Sequence, residues 1–496
     1  MAFTPTLAHR HASVPRPVVV TVGVHRALVG GAMALASASI VTQTYWLATG
    51  DDFGLGIVPA FNPAGVGNLP VFALTALLAF SAASTAVLAA ALRKQSVPGA
   101  GAWALLAAGQ AALSMQRLVL TRPRLDDDPA WLAVGYALPP PARPRDALLL
   151  AGVLAGAAVV AAAWHTAGAV RGRLAAGAAL FIAGAALGAV AGAALAAPVA
   201  DPRVVAAALM IAARTLELIG VALVFDAVRR RLAAIAPDLR LVVDDAAPHA
   251  IGVRRTSDGV AIDVSPRRLG RALALAIATL VVLSTATTWA VSRWPATHRA
   301  YRLFYVDFET NVPTWWSAML LLASAATAGF LARAARSVRD ARWPDWLTLA
   351  ALFGAMAADE AASLHELLQK PIRAALGSET WLRYPLILPG LVVAIILAVR
   401  FRRFTRTIGG TRRRLVTGGA IFALGALVFE MMGGWFAPEA IGANTTYVVL
   451  TTIEETLEMA GAALVLIALL RHVAHEAGRN GLPLRDRSYS ARGAVA

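Results

Sequence analysis

The chain has 496 residues, 58% of them hydrophobic and only 15% charged, with mean hydropathy +0.64 and formal net charge +16. A soluble protein of this size carries about 25% charged residues, and many apolar runs of 20 or more residues point instead to a polytopic, all-α membrane protein. A transmembrane β-barrel is excluded, because its strands alternate in runs of about 10 residues, and the absence of cysteine excludes disulfides, thiolate metal ligands and a cysteine nucleophile.

Twelve spans are predicted, at 24–49, 70–92, 101–120, 146–168, 174–197, 203–226, 270–293, 313–335, 344–368, 382–401, 413–435 and 446–470. They divide the chain into a cytoplasmic tail (1–23), a first six-helix membrane unit (24–227), a polar and basic cytoplasmic linker (228–268), a second six-helix unit (269–472) and a cytoplasmic tail (473–496) expected to be disordered. A net charge of +16 resembles a nucleic-acid binder, but the arginines sit in short loops between spans. With the N-terminus inside, 32 of the 45 Lys and Arg fall on the cytoplasmic side and 11 on the outer side, while Arg117 and Arg214 stay within the membrane. That asymmetry fits the positive-inside rule with both termini cytoplasmic. The partner is therefore the lipid bilayer and not nucleic acid, with a lipid or an ion as the expected ligand. Nothing in the sequence sets an oligomeric state.

Smaller features lie along the chain. Arg26, the apolar run after it and the small residues of ALASAS resemble a signal peptide, yet span 1 has a counterpart in span 7, which argues against removal. PPPARPR (139–145) reads as a stiff outer loop. Gly184, Gly188 and Gly192, every fourth residue, form a close-packing face. In the linker, Asp258-Gly259 between HAIGVRR and VAIDV reads as a β-hairpin turn.

An internal repeat organises the whole chain. At an offset of 243, Thr44, Trp46, Phe61, Asn68, Pro70 and Trp103 match Thr287, Trp289, Phe304, Asn311, Pro313 and Trp346. At an offset of 241, TLELIGVALV (215–224) matches TLEMAGAALV (456–465) at seven of ten positions. An even number of spans per unit makes the two units parallel.

The second unit carries the chemistry. Asp359, Glu360, Glu366, Glu430, Glu454, Glu455 and Glu458, with His365, lie inside predicted spans. Ionised and unpartnered, seven carboxylates would cost about 17–25 kcal/mol, more than a domain's whole stability. Helical rise places all three groups in the outer half of the bilayer. On continuous helices, Asp359, Ser363 and Glu366 share a face, Thr451, Glu454, Glu455 and Glu458 share an arc of about 100°, and His365 and Glu360 point to either side. In the first unit, Gln116 and Arg117 occupy the positions of Asp359 and Glu360, and Arg214 and Glu217 those of Glu455 and Glu458. One unit is acidic; the other has gained two cations.

Three readings compete. The first is a metal site: Asp359, His365, Glu366, Glu430, Glu454, Glu455 and Glu458 hold a divalent cation, with Glu360 and Ser363 beside them. Oxygen-rich ligands favour Mg, Ca, Mn or Fe and leave Zn open, although the Glu-x-x-His signature of di-metal bundles is missing. The second is a proton or cation pathway through a transporter. The third is a non-catalytic scaffold whose acids pair with Arg117 and Arg214. The one-sided distribution of acids tilts the balance towards a binding or catalytic site and away from alternating access. There is no nucleotide or haem motif, no His-Glu-x-x-His and no Gly-x-Ser-x-Gly. His472 and His475 read as a solvated helix end; Asp307 and Glu309 lie among aromatics that an interfacial belt explains, with gating of an outer entrance as the minority reading.

The segments NVPTWWS (311–317), DEAASLHE (359–366), FEMMGG (429–434) and EETLEMAG (454–461) carry a resemblance. Over about 300–472 the chain resembles a family of uncharacterised bacterial six-span membrane proteins, which implies a bacterial plasma membrane but no activity. The first half keeps Asn68, Pro70, Glu217 and Gly220 and lacks the DEAASLHE acids. The expectation is a tandem pair of such units, with metal-assisted chemistry on a membrane-soluble substrate as the leading enzymatic reading.

Overall fold

A computed structural model of the chain describes residues 18–20, 23–51, 53–65, 67–119, 164–194, 202–257, 259–294, 297–376, 387–436, 445–477 and 482–486. Strand β1 (Val18–Val20) leads into α1 (Gly23–Thr49), the one-turn α2 (Ile57–Ala60), α3 (Leu69–Lys94), α4 (Ala100–Val119), α5 (Arg171–Ala194) and α6 (Pro202–Ile235). Strands β2 (Leu239–Val243), β3 (Ile251–Thr256) and β4 (Gly259–Val264) come next. Then come α7 (Pro266–Val291), the short α8 (His298–Phe304), α9 (Val312–Ser337), α10 (Trp343–Ala362), α11 (Leu364–Leu376) and α12 (Ile387–Thr407). The last elements are α13 (Thr411–Ala423), a π-helical segment (Leu424–Phe429), α14 (Glu430–Phe436), α15 (Thr445–Ala477) and β5 (Leu482–Asp486).

Among the described residues eight helices are long and apolar enough to cross a membrane: Arg26–Thr49, Leu69–Lys94, Trp164–Gly192, Pro202–Ile235, Pro266–Val291, Val312–Ser337, Thr411–Trp435 and Thr445–Glu476. They mark a membrane protein. Helices α4, α10 and α12 run for 20, 20 and 21 residues but fall outside those eight. The predicted span 146–168 lies mostly outside the described residues, as does PPPARPR. Span 344–368 is not one helix, because the chain breaks at Ser363.

Helix starts are set by local chemistry. Asn68 Oδ1 accepts from the Val71 amide at 2.9 Å with Pro70 in the first turn of α3; Asn311 Oδ1 accepts from the Thr314 amide at 3.0 Å with Pro313 in the first turn of α9. Side-chain capping satisfies an orphan N–H, and proline removes one that would go unpaired. Both helices run for 26 residues, beginning and ending 243 residues apart.

Helices α5 and α6 meet through glycine. A Cβ on Gly184 would lie 2.6 Å from the Ala213 carbonyl, and one on Gly220 2.6 Å from the Phe181 amide. Further along the chain, a Cβ on Gly461 would lie 2.5 Å from the Phe422 amide. The close face does not extend along the predicted Gly184–Gly188–Gly192 row: Gly188 has ordinary contacts and Gly192 has nothing within 4 Å.

A small sheet of order β1-β5-β2-β4-β3 stands at one end of the helices. The β3–β4 ladder runs antiparallel from Ile251↔Val264 to Thr256↔Gly259, as a hairpin requires. Helix α6 runs on to Ile235 and α7 begins at Pro266, so both helices extend into the 228–268 linker. The C-terminal tail is not wholly unstructured either: Leu482–Asp486 pairs in parallel with Val18–Val20 and antiparallel with β2. Ala91, Ala236, Leu239 and Val260 pack together where the sheet meets α3 and α6. Nearby, His472 is 1% exposed, 3.1 Å from Thr411 Oγ1, 3.3 Å from Glu476 and against the Trp346 ring. It is a packed residue and not the solvated helix end its position implied; His475 is exposed.

The glycine contacts give a direct test. Gly184→Ala must push backbone away and should lower stability in detergent by about 1–3 kcal/mol. Gly192→Ala meets open space and should hold stability or add up to about 1 kcal/mol of helix propensity. Equal melting temperatures for the two variants would show that α5 and α6 are not in glycine contact.

Candidate functional site

The site begins with a break in a helix. Ser363 adopts a left-handed conformation (φ 47°, ψ 42°), ending α10 at Ala362 and restarting the chain as α11. On a continuous helix residues 359 and 365 would point about 120° apart. The break turns them together: the His365 amide donates to Asp359 Oδ1 at 2.8 Å, and His365 Nδ1 lies 3.1 Å from Asp359 Oδ2. A carboxylate on Nδ1 fixes the ring and leaves Nε2 for another task. Both side chains are 39% exposed, so the pair can be reached from outside the fold.

The loop between α8 and α9 supplies the next groups. Tyr301, Tyr305 and Phe308 pack ring on ring, with centroids 4.9–5.1 Å apart. Asn311 Nδ2 donates to the Tyr305 carbonyl and Thr314 Oγ1 to the Phe308 carbonyl. Thr310 takes the left-handed region (φ 58°). So held, the loop turns Asp307 and Glu309 inward. Asp307 accepts from Tyr447 Oη at 3.1 Å, and burial pushes its carboxyl up to about 6. Glu309 is pushed up to about 8, by burial first and then by Glu360 and Glu366. Among the described residues its buried Oε2 completes no hydrogen bond, although Ser363 lies within reach of the carboxylate.

Glu309, His365 and Glu366 each offer a ligand atom, and the three atoms lie within 4.8 Å of one another. The deeper acids stand behind them. The π-helical segment, wedged where a Cβ on Gly425 would approach the Glu454 carbonyl to 2.8 Å, delivers Glu430. Glu454 lies within Coulombic reach of Glu430, Asp307 and His365. Glu455 lies within Coulombic reach of Glu360, Glu458, Glu454 and Asp307, and Glu458 within that of Glu360, Glu454, Glu430 and His365. Asp359, Glu360, Glu366, Glu430, Glu454, Glu455, Glu458 and His365 thus gather in one region, with Ser363 as its hinge. His365 and Glu360 do not diverge from it, contrary to the continuous-helix expectation. Asp307 and Glu309 join it as members, where the minority reading of the sequence made them gates; their signal is a pair of acids just before the capped start of α9.

Three residues stand elsewhere. Arg117 Nη2 reaches Glu217 Oε1 at 2.5 Å, from α4 to α6, and Arg214 Nη1 reaches Glu217 Oε2 at 2.7 Å. Arg214 Nε also donates to the Pro63 carbonyl at 3.2 Å. These ion pairs lie within the first half, whereas the scaffold reading sets the two guanidiniums against the second half's acids. The reason is geometric: Glu217 sits one turn from Arg214 and has two oxygens to share. Glu217→Gln removes the buried carboxylate that both guanidiniums share and should destabilise the protein by about 3–5 kcal/mol. Arg117→Ala leaves Glu217 on Arg214 and should cost less; the ordering of the two melting curves is the check, and a neutral Glu217→Gln would mean the charges are solvated.

Residues 272–473 match a domain of unknown function, DUF8692. The match contains every member of the acid cluster and excludes the Arg117–Glu217–Arg214 group. No curated protein and no solved structure matches the chain.

Proposed function

We propose that the chain is a bacterial plasma-membrane protein of two parallel six-helix units with both termini cytoplasmic, whose second unit binds a divalent cation near the outer face. The two-unit reading is supported by the helix pair Leu69–Lys94 and Val312–Ser337, offset by 243 at both ends, and by a second pair, Ala100–Val119 and Trp343–Ala362, with the same offset. Placement of the tails and linker on one side is supported by their shared sheet.

The observation that carries the cation reading is the convergence of Glu309, His365 and Glu366 ligand atoms within 4.8 Å, with the Glu309 carboxylate buried among them. Two carboxylates and an imidazole suit Mn, Fe or Zn, and the surrounding oxygens leave Mg and Ca within range. Asp359 would orient His365, and Glu430 and Glu454 would supply further oxygens or act as general bases. A bound cation would polarise a membrane-soluble substrate or activate water, which makes metal-assisted chemistry on a lipid-like molecule the leading activity.

One observation favours a second reading. Glu309, Glu360 and Glu458 are Coulombic neighbours in succession, a spacing that suits relay of protons or cations inward.

Elemental analysis of purified wild type against Glu309→Ala/His365→Ala decides between them. We expect at least one divalent metal per wild-type chain and its loss or a tenfold weaker hold in the variant. Metal in neither protein, with proton uptake by reconstituted vesicles, would replace the cation site with the relay.

A further inference from the structure

Helix α9 of the second half meets α4 of the first at the end away from the sheet, and the two part towards it. Trp315 Nε1 donates to Ser114 Oγ at 3.2 Å, and Leu118, Ala318 and Ala361 are buried together. Closer to the sheet, α3, α4 and α9 leave a groove of about 720 Å³ between them, within the range of about 300–1,000 Å³ that small-molecule sites occupy. Ala83, Ala86 and Ala90 of α3 recur at the three- and four-residue spacing of one helix face, and Arg93 continues the row. Ala104 and Ala108 form the wall on α4, and Trp315 and Met319 close the groove from α9. Ala83, Ala86 and Ala108 are exposed, so the groove opens to the outside of the helices.

The lining carries a single charge, Arg93, in the last turn of α3. Its side chain is exposed and makes no ion pair among the described residues. Lys94, next in sequence, lines a separate polar recess with Asp244, His249 and Asp263. Ala91 of the same turn packs on Ala236, Leu239 and Val260 where the sheet begins. The guanidinium thus stands where apolar helix gives way to polar sheet, which is the level of lipid headgroups. From Ala79 to Arg93 the groove runs about 21 Å at 1.5 Å per residue, longer than one leaflet's share of a hydrocarbon core about 30 Å thick.

A long apolar trough with one cation at its headgroup end is the complement of an anionic amphiphile. We infer that this groove holds one acyl chain of an anionic phospholipid from the leaflet on the sheet side, with its phosphate on Arg93. Small side chains let the chain lie close to three helices at once, where dispersion contacts replace those with neighbouring lipids. The guanidinium offers a fork of donors that fits phosphate oxygens. The lipid would fill the gap between the halves beside the Trp315–Ser114 contact and so become part of the joint between them. This place is distinct from the carboxylate–histidine site, and its test depends on no metal.

The measurement uses full-length protein in nanodiscs of phosphatidylcholine doped with phosphatidylglycerol that carries a photoreactive diazirine on its acyl chain. Irradiation, digestion and mass spectrometry map where the chain lies. Labels should concentrate on residues 79–93, 104–111 and 315–323, above the level on the open face of α12, where Val392, Val393 and Ile396 are 51–58% exposed. Ala83→Leu/Ala86→Leu fills the groove from two exposed positions and should remove the groove labels while those on α12 stay. Arg93→Gln should lower them about fivefold, the worth of one basic residue near an anionic headgroup. A choline-headgroup probe with the same chain should show no such dependence. Groove labels no denser than those on α12, or labels that survive Ala83→Leu/Ala86→Leu, would mean ordinary boundary lipid and overturn the site. An unlabelled groove does the same, whether residues 146–163 or a second copy of the chain covers it. Equal labelling by both headgroups, unchanged in Arg93→Gln, overturns the anionic assignment.

Discussion

A carboxylate surrounded by protein and hydrocarbon has three ways to persist: it meets a cation, it keeps its proton, or it stays in touch with water. The two halves of this chain answer that constraint differently. Glu217 meets two arginines and is 1% exposed. Among the acids of the second half, Asp359 pairs with His365, and both remain partly open. Much of the local architecture serves to keep them so: the broken helix, the inward loop and the π-helical turn all bring charged groups to a space that a straight bundle would have filled with side chains. π-Helical turns recur at functional sites because the extra residue re-aims the side chains of the next turn.

Several parts of this arrangement are legible in the sequence because they depend on neighbours in the chain. The Asn-x-Pro starts of α3 and α9 and the Asp258-Gly259 turn are local signals. So is the concentration of acids in apolar runs. The His365–Asp359 pair is not legible, since it needs a left-handed residue at 363, and the sequence places serine there, where glycine would have announced a break. Periodicity assumed an unbroken helix and sent His365 the wrong way. The Arg117–Glu217 bond spans 100 residues and depends on how α4 packs near α6, which no local pattern encodes.

The first half also contributes directly to the setting of the acids. Helix α11, which carries His365 and Glu366, rests on the segment that joins α1 to α2. There Gly56, at φ 86°, comes against Leu367, with 3.1 Å left for a Cβ. A side chain at 56 would be strained in its own backbone and would push against the helix below the histidine. Elsewhere Trp315 Nε1 donates to Ser114 Oγ at 3.2 Å, and Leu118, Ala318 and Ala361 are buried together. Ala361 lies two residues from Ser363. The hinge of α10 is thus braced by helices from the other half, which gives the arginine-bearing half a mechanical role even though it holds few of the acids.

The sheet has a consequence for how the protein is made. Its strand β1 precedes all of the described helices in the chain, yet its partner β5 lies more than 460 residues later, at Val18↔Leu484. Antiparallel pairing of β5 with β2 likewise waits for Leu482 to emerge. Loop-closure entropy grows only slowly with length, so the distance itself is thermodynamically tolerable. The order of events is the stronger restriction. Every helix must be inserted, and in the right direction, before β5 can reach the side where β1 and β2 wait. A single helix left out would strand β5 across the bilayer with unpaired amides on the β1 and β2 edges. Such edges invite foreign pairing, so closure of this sheet ties β1, β2 and β5 to one face of the molecule.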